Sequence, residues 1–495
     1  MGIGSQSFKL MGVSIINRKS KIVATMGPAI KSYEMLRELL EKGVDVIRLN
    51  FSHGDHKAHK QNIDWIRKAS GELHREVAIL ADLQGPKIRT GLIKEMIILK
   101  KGQDVFFTGT NDRQIEGDGT KEKPVSISYP RLAHELRVGD ALLIEDGLTR
   151  MEVAAVDSAK NLVHAKVIFG ETLSSRKGVN IPSAKLTASA ITEKDWEDIL
   201  FCISEKVDFF ALSFVRSAQE VKNLKSLLAS KSAEIQVIAK IEKPEALENL
   251  QEIVEASDAL MIARGDLGVE IGNEKVPFVQ KKLIKMARSM GKPVITATQM
   301  LMSMVTQPTP SRAEASDVAN AVFDGSDALM LSNETASGAF PLKAVETMDA
   351  IIRASESSEF EMNFDLDPTV EAKAPLEAAA VLLSKKIKSK ALGCLTRSGN
   401  TARNLSRLSP HAPIFAFVEN PSVRRQLALS RGVFVIPWKE VQTQDYTIFD
   451  ALANELGRLG YLKKNDVAVF TAGIPTSRES GTSNTVALRK FGVKE

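Results

Sequence analysis

Eight short apolar, β-branched runs recur along the chain with helix-period segments between most of them, and this alternation restricts the possible folds more than any other feature. The runs are KIVATMG (21–27), DVIRLNFS (45–52), VAILADLQG (77–85), FFALSFV (209–215), QVIAKIE (236–242), ALMIARGD (259–266), PVITATQ (293–299) and ALMLSNET (328–335). Segments such as SYEMLRELLEKG, KPEALENLQEIVEAS and VQKKLIKMARSMG have the helical period, the first with Ser32 placed as an N-cap and Gly43 as a stop. Eight repeats of strand and helix predict parallel βα units closed into a TIM barrel, an α/β fold.

One gap breaks the rhythm. Residues 86 to about 185 show short alternating strands and turn signals (KKGQD, RVGD, IEDG) without a strong helix, which predicts an inserted all-β domain. The chain enters it through Gly85 and Pro86 and leaves through NIPSA with Pro182, two short crossings at the barrel mouth that suit a lid. From about 371 the α/β pattern resumes in EAAAVLLSKKIKS, ALGCLT, NTARNLSRLSP, PIFAFV, SVRRQLALSRG, VFVIPW and DVAVFTAG, a separate domain with its own sheet. The expected division is an N-terminal segment 1–18, a barrel 19–85 and 186–355, a β insert 86–185 and a C-terminal α/β domain 371–495.

Charge and cysteine content narrow the partners. Lys plus Arg number 66 against 61 Asp plus Glu, with no long block of one sign, so neither a nucleic acid nor a membrane surface is expected, while small anions are compatible. Only Cys202 and Cys394 occur, far apart, which argues against a disulfide framework or a cysteine metal site and fits a reducing compartment. The start, MGIGSQSFKLMGVSIINRKSK, has no apolar run suited to a signal peptide, and Gln6 breaks the myristoylation pattern. No segment reaches the ~18 apolar residues of a membrane span, so a soluble cytoplasmic protein is expected.

In a barrel the carboxyl ends of the strands face one mouth, and here nearly every such position is polar. Alternation puts Arg48, Asn50 and Ser52 on one face, followed by His53; Asp82 ends the third run and Arg89 lies just beyond it. Lys240 and Glu242 share a face at the end of the fifth run, Arg264, Gly265 and Asp266 end the sixth, Thr298 the seventh, and Ser332 with Glu334 the eighth. Glu242 and Asp266 offer two hard oxygen ligands for magnesium or manganese. The alternative is a pair of structural ion pairs, Glu242 with Lys240 and Asp266 with Arg264; two such strands side by side favour the metal. Lys240 would then add a positive charge where a phosphoryl group could sit. RGDLGVEI reads as a tight turn with free backbone amides, and in HGDHKAH the expectation is a solvated first helical turn for His56 and His59, with only His53 near the mouth. No Walker A or dinucleotide fingerprint occurs.

Taken in order, RLNFSHG, GPKIRTG, KIE, MIARGDLGVEI, TATQML and RAEASDVANAVFDGSDALMLSNETASGAFP resemble pyruvate kinase over nearly the whole chain apart from its start. The resemblance implies a TIM barrel with a mobile β-domain and a C-terminal effector domain, as a homotetramer. It also implies transfer of the phosphoryl group of phosphoenolpyruvate to ADP, giving pyruvate and ATP with Mg2+ or Mn2+. Carried over by position, Glu242 and Asp266 match the metal carboxylates, Lys240 the catalytic lysine, and Arg48 and Arg89 the residues on the transferring group. Thr298 matches a residue near the carbon that is protonated, and Arg48, Lys240, Gly265, Asp266 and Thr298 together match the substrate site. Pro28, His53, Arg89 and Lys177 resemble the nucleotide contacts. The enolate's proton is expected through water near Thr298, Ser332 and Glu334.

Two departures from the family pattern stand out. DLQGPK replaces the more usual Asp-Thr-Lys-Gly-Pro-Glu, so that Leu83 and Lys87 alter a monovalent-cation region that also includes Asn50, Ser52 and Asp82. The expectation is an enzyme that does not require potassium, with Lys87 as a tethered substitute charge near Asp82. Asn333 replaces a glycine after Ser332, which suggests an unusual backbone geometry that asparagine tolerates. In the C-terminal domain Thr396, Arg397, Ser398, Gly399, Asn400 and Thr401 form a strand end, a loop and a helix start able to cradle a phosphate. The resemblance makes this an effector site, with TSRESGTSN opposite, for a sugar phosphate or nucleoside monophosphate. A metal-dependent lyase or aldolase would also use the barrel and the metal, but would need neither the insert, Lys177 nor the tail domain.

Overall fold

A computed structural model describes the chain except residues 1–8, 11–12, 15–17, 113, 183, 185–186, 188–189, 359–371, 440–445, 475–482 and 493–495. Most of the expected N-terminal segment and most of TSRESGTSN therefore lie outside the described residues.

The eight runs form eight parallel strands closed in chain order: β1 Lys21–Thr25, β2 Val46–Asn50, β3 Ala78–Asp82, β4 Phe209–Leu212, β5 Gln236–Ile241, β6 Ala259–Ala263, β7 Val294–Ala297 and β8 Ala328–Leu331. Pairing of β8 with β1 and of β3 with β4 completes the TIM barrel. Strand alternation divides their side chains into two sets. Val23, Val46, Leu80, Phe209, Ile238, Met261, Ile295 and Met330 fill the interior, while Ile22, Ile47, Ile79, Phe210, Val237, Leu260 and Leu329 pack outward against the helices. Ala428 and Leu429 from the C-terminal domain join the interior cluster.

At the amino ends of the strands a device repeats every second strand. Asp45, Asp208, Asp258 and Asp327 stand one residue before β2, β4, β6 and β8. Each carboxylate accepts a hydrogen bond from a backbone N–H of the preceding odd strand: Ile22 at 2.9 Å, Ile79 at 2.7 Å, Val237 at 2.8 Å and Val294 at 3.0 Å. Cations neutralise the first three, Arg18 and Arg75 at Asp45, Arg67 and Arg425 at Asp208, and Lys225 at Asp258. Asp327 instead accepts from the backbone N–H of Arg431 at 3.1 Å. These carboxylates fix strand register, since a slip of one residue would strand a buried charge.

Between β3 and β4 the chain forms a six-stranded sheet in the order Val125–Ile127, Asp104–Gly109, Leu162–Phe169, Thr149–Asp157, Ala141–Ile144, Val179–Asn180. It encloses a core of its own around Phe107, Leu142, Met151 and Val163. The C-terminal domain has a five-stranded sheet in the order Val433–Pro437, Ile414–Val418, Ala391–Leu395, Val467–Ala472, Thr485–Lys490. The last strand is antiparallel and was not among the expected runs. No helix among the described residues is long and apolar enough to cross a membrane.

Candidate active site

Lys240 lies at the centre of the mouth. Its parity on β5 follows the inward-facing Ile238, so an apolar strand ends by sending an ammonium toward the barrel axis. The Nζ atom lies 2.8 Å from Ser213 Oγ, 2.9 Å from Glu242 Oε1 and 3.2 Å from Asp82 Oδ1. Asp82 follows the parity of Leu80, and its second oxygen accepts from Arg48 Nε at 2.7 Å. Arg48 in turn donates to Thr25 Oγ1 at 3.1 Å. Glu242 is 1% exposed, and its second oxygen accepts from the Phe214 backbone N–H at 2.7 Å.

Burial opposes the charge on Lys240, but Asp82 and Glu242 outweigh it and raise the ammonium's pKa above its ordinary value. Asp82 is also buried, yet Lys240 and Arg48 hold its carboxyl below the usual range. Glu242 goes the other way: burial raises it, Lys240 only partly offsets this, and Asp266 adds to the rise. One of the two expected ion pairs is thus present, Lys240 with Glu242. The other is not. Arg264 pairs with Asp317 at 2.8 Å and donates to Thr298 O, leaving the Asp266 carboxylate with no partner among the described residues. Glu242 and Asp266 remain two hard oxygen donors at neighbouring strand ends, and a carboxylate made harder to ionise by a second one is eased by a cation between them.

RGDLGVEI is a helix, Arg264–Ile271, rather than a tight turn. Its second residue, Gly265, donates its N–H to Thr298 Oγ1 at 2.8 Å. Thr298 has φ of 69°, the left-handed region that a β-branched residue enters only under constraint. The constraint is visible: its hydroxyl donates to Ala297 O at 2.6 Å and accepts from Gly265, while its carbonyl is held by Arg264. Asn333 needs no such geometry. It opens the helix Asn333–Ala336 and is not among the residues with positive φ. Glu334 is completely buried, accepting from the backbone N–H of Leu301 at 3.1 Å and of Ser332 at 2.7 Å, so it braces the ends of β7 and β8 instead of facing the mouth. Ser332 Oγ is buried with no hydrogen-bond partner among the described residues.

The monovalent-cation region is differently arranged from the expectation. Asn50 Oδ1 accepts from the Ser52 N–H at 3.1 Å, and Leu83 is buried with its carbonyl accepting from Ser213 Oγ at 2.7 Å. Lys87 makes no ion pair with Asp82 among the described residues, and its stem runs beside Gly178 of the inserted domain. Arg48 and Lys240 neutralise Asp82 instead. Sequence reasoning had passed over Ser213; parity with Phe209 and Ala211 was the signal that could have found it.

Pro28 and His53 are exposed at the ends of β1 and β2, and Arg89 pairs by its backbone with Gly178 while its guanidinium has no partner among the described residues. Lys177 forms an ion pair with Glu145 inside the inserted domain. His56 bonds Asp198 at 2.7 Å and stacks on Phe201, but His59 is buried at 7% exposure, stacked on Phe51 with its Nε2 on His53 O at 2.9 Å, which corrects the expectation of a solvated turn. A cleft opens beside Asp266, between Lys87, Asp146 and Asn180 of the insert and Phe214 and Lys243 of the barrel.

In the C-terminal domain, Thr396 ends the strand Ala391–Leu395 and its hydroxyl accepts from the Gly399 N–H at 3.1 Å. Gly399 has φ of 82°, which lets the loop turn into the helix Asn400–Arg407 without strain. Thr401 Oγ1 lies 3.0 Å from Ser483 Oγ, which brings the segment after TSRESG to the loop. Ser398 and Asn400 are gathered by Arg403, and Arg397 lies in the same loop.

Two family models match this chain, one described as pyruvate kinase, barrel domain, over residues 17–345 and one as pyruvate kinase, alpha/beta domain, over residues 376–488. Pyruvate kinases of Staphylococcus aureus strains MRSA252 and USA300 are each 42% identical to it over 480 residues, covering 96% of this chain and 81% of the relative.

Proposed function

The chain belongs to the pyruvate kinase family, phosphotransferases whose substrates and products are phosphoenolpyruvate, ADP, pyruvate and ATP, and from that premise we propose how its residues divide the work. Lys240, Arg48 and Arg89 bind the transferring phosphoryl group. A loose transition state needs charge and alignment more than covalent help, and these three groups supply both. The observation that carries the assignment is the Lys240 ammonium, kept charged at the barrel axis by Asp82 and Glu242.

Glu242 and Asp266 would hold Mg2+ or Mn2+. When bound, the ion supplies positive charge to substrate oxygens, and two carboxylates leave positions open for them. Gly265 and Thr298 close the substrate side. The hydroxyl of Thr298, on its strained backbone, orients the water that delivers the proton to the enolate, together with Ser332; Glu334 acts by bracing the backbone of Ser332 and Leu301. Pro28, His53 and Arg89 form the nucleotide side, and Lys177 exchanges Glu145 for phosphate oxygens. Substituting Glu242→Gln or Asp266→Asn should raise the Mg2+ concentration needed for half-maximal pyruvate formation by about tenfold or more. An unchanged Mg2+ titration in both folded variants would remove them from the ion.

Potassium independence belongs to the same proposal. Lys87 stands where the family usually has an acid, Asp82 already faces two cations, and the Leu83 carbonyl is engaged by Ser213. Turnover in tetramethylammonium buffer should match that in potassium, and Lys87→Glu should create a potassium requirement; strong stimulation of the wild type by potassium would refute this. The loop Thr396–Thr401 binds the phosphate of an activating sugar phosphate or nucleoside monophosphate. Identical kinetics with each candidate phosphate, or unchanged activation after Ser398→Glu, would count against it. A homotetramer is supported by large apolar side chains left bare on the barrel, Phe278 at 76% and Met302 at 44% exposure, and on the C-terminal domain, Leu382 at 50% and Leu488 at 44%. Two buried free thiols, Cys202 and Cys394, suit the cytoplasm.

A further inference from the structure

The inserted domain returns to the barrel through the last strand of its sheet, Val179–Asn180, which pairs with Ala141–Ile144 and ends just before Pro182. At that point Asn180 reaches the barrel and donates its side-chain amide to Glu270 Oε1 at 2.8 Å. The same oxygen takes the Lys243 ammonium at 2.5 Å, and the Glu270 side chain is 1% exposed. Both barrel residues stand next to a proposed metal ligand. Lys243 directly follows Glu242 in sequence, and Glu270 lies four residues after Asp266 in the helix Arg264–Ile271, one turn along the same face. The entry crossing converges on the same place. A Cβ on Gly85 would stand 3.0 Å from the Phe214 ring and 3.1 Å from Ser213 Cβ, so the chain passes flush against the residue whose N–H holds Glu242 Oε2.

Arranged for stability alone, the Glu270 contact is a poor one. A buried ion pair adds little net stability, and both donors crowd one oxygen while Glu270 Oε2 is buried with no hydrogen-bond partner among the described residues. We propose that what the contact supplies is geometry: Glu270 is a positioning residue for the divalent-ion site, tying the residue after Glu242, the helix that carries Asp266 and the exit strand of the inserted domain to a single oxygen atom. The inference rests on the reading that Glu242 and Asp266 hold the ion. With this latch made, the relative placement of the two carboxylates is set by the inserted domain as well as by the barrel. With it broken, the loop after β5 and the helix after β6 lose their common anchor, and the affinity for the ion falls.

The test is Mn2+ binding to the full-length enzyme without substrates, followed by the EPR signal of the free ion, with Tm recorded for each variant. Glu270→Gln, which removes the ion pair, and Asn180→Leu, which removes the link to the inserted domain without changing any charge, should each raise the Mn2+ midpoint about tenfold. The reciprocal swap Asn180→Asp with Glu270→Gln restores an acid beside Lys243 and reverses the hydrogen bond, and should bring the midpoint back to within about threefold of wild type. An unchanged midpoint in Asn180→Leu overturns the proposal, since Glu270 would then act through its charge alone. That variant, on a half-buried residue, decides the matter even where Glu270→Gln lowers Tm. A swap that binds no better than Glu270→Gln overturns it too. Glu242→Gln and Asp266→Asn serve as the reference: unchanged binding there overturns the metal assignment itself, whereas weakened binding there with unchanged midpoints in Glu270→Gln and Asn180→Leu overturns the positioning role alone.

Discussion

Replacing Lys240 by Met keeps the length of the side chain and removes its charge, and two separate losses follow from the contacts at its Nζ. The chemical loss is that of a preorganised cation on the transferring phosphoryl group. One neutral donor at such a position is worth roughly 10²–10³ in kcat, and a full charge in a partly dry site should exceed that, so a drop of at least about 10³-fold is expected. The structural loss is that of a partner for two buried carboxylates. Asp82 keeps Arg48 at 2.7 Å, but Glu242 keeps only the Phe214 N–H. Leaving a buried charge uncompensated costs about 3–5 kcal/mol, reduced here because Glu242 is already biased toward its neutral form. The double variant Lys240→Met with Glu242→Gln separates the two. Its Tm should recover toward wild type while pyruvate release from phosphoenolpyruvate and ADP stays absent. A folded Lys240→Met enzyme retaining more than about a tenth of wild-type kcat, a barrier change of only ~1.4 kcal/mol, would refute the reasoning.

Thr298 predicts an opposition of stability and activity: Thr298→Gly relieves a left-handed β-branched residue and should hold or raise Tm, offsetting about 1–3 kcal/mol of strain, while kcat falls at least tenfold; Thr298→Ser should retain most turnover. For His59, burial lowers the imidazole's pKa despite its bond to His53 O. The unfolded chain therefore binds the proton more readily, and stability present above the ordinary value of about 6.5 is lost as pH falls below it. Tm should decline between about pH 7 and pH 5.5 more steeply in the wild type than in His59→Gln, and parallel slopes would rule this out. Phe278→Glu should lower the sedimentation coefficient by breaking self-association; an unchanged coefficient would place the oligomer contact elsewhere.

The barrel was legible because its strands are buried on both faces, so that the β-branched runs were continuous and easy to count. The mouth was legible through parity: Arg48, Asp82, Lys240 and Glu242 each continue the inward set of their strand. What spacing could not supply was the partner of each charge. Arg264 is two residues from Asp266 yet pairs with Asp317, and Glu334 turns inward to backbone amides. His59 sits in a polar stretch, and its burial comes from tertiary contacts such as the stacking of Phe51. The left-handed Thr298 leaves no mark in sequence, since contacts enforcing it come from the start of the helix Arg264–Ile271, which follows the neighbouring strand. The edge strand Thr485–Lys490 alternates as a strand should, but only the partner strand Val467–Ala472 makes it one.

The carboxylates at the barrel's amino-terminal rim divide it in a way the ladder alone does not. Asp45 ties β2 to β1, Asp208 ties β4 to β3, Asp258 ties β6 to β5, and Asp327 ties β8 to β7. The barrel is thus four clamped strand pairs joined edge to edge, and the inserted domain is threaded inside the second pair, between Asp82 and Asp208. Closing that long excursion costs entropy that grows only as the logarithm of its length. The Asp208 to Ile79 clamp meets that cost at the closure point, whatever the inserted chain is doing. A chain recut between pairs, with the native ends joined, should leave each clamp whole and still close, whereas recutting inside a pair would make one clamp bridge the two new termini.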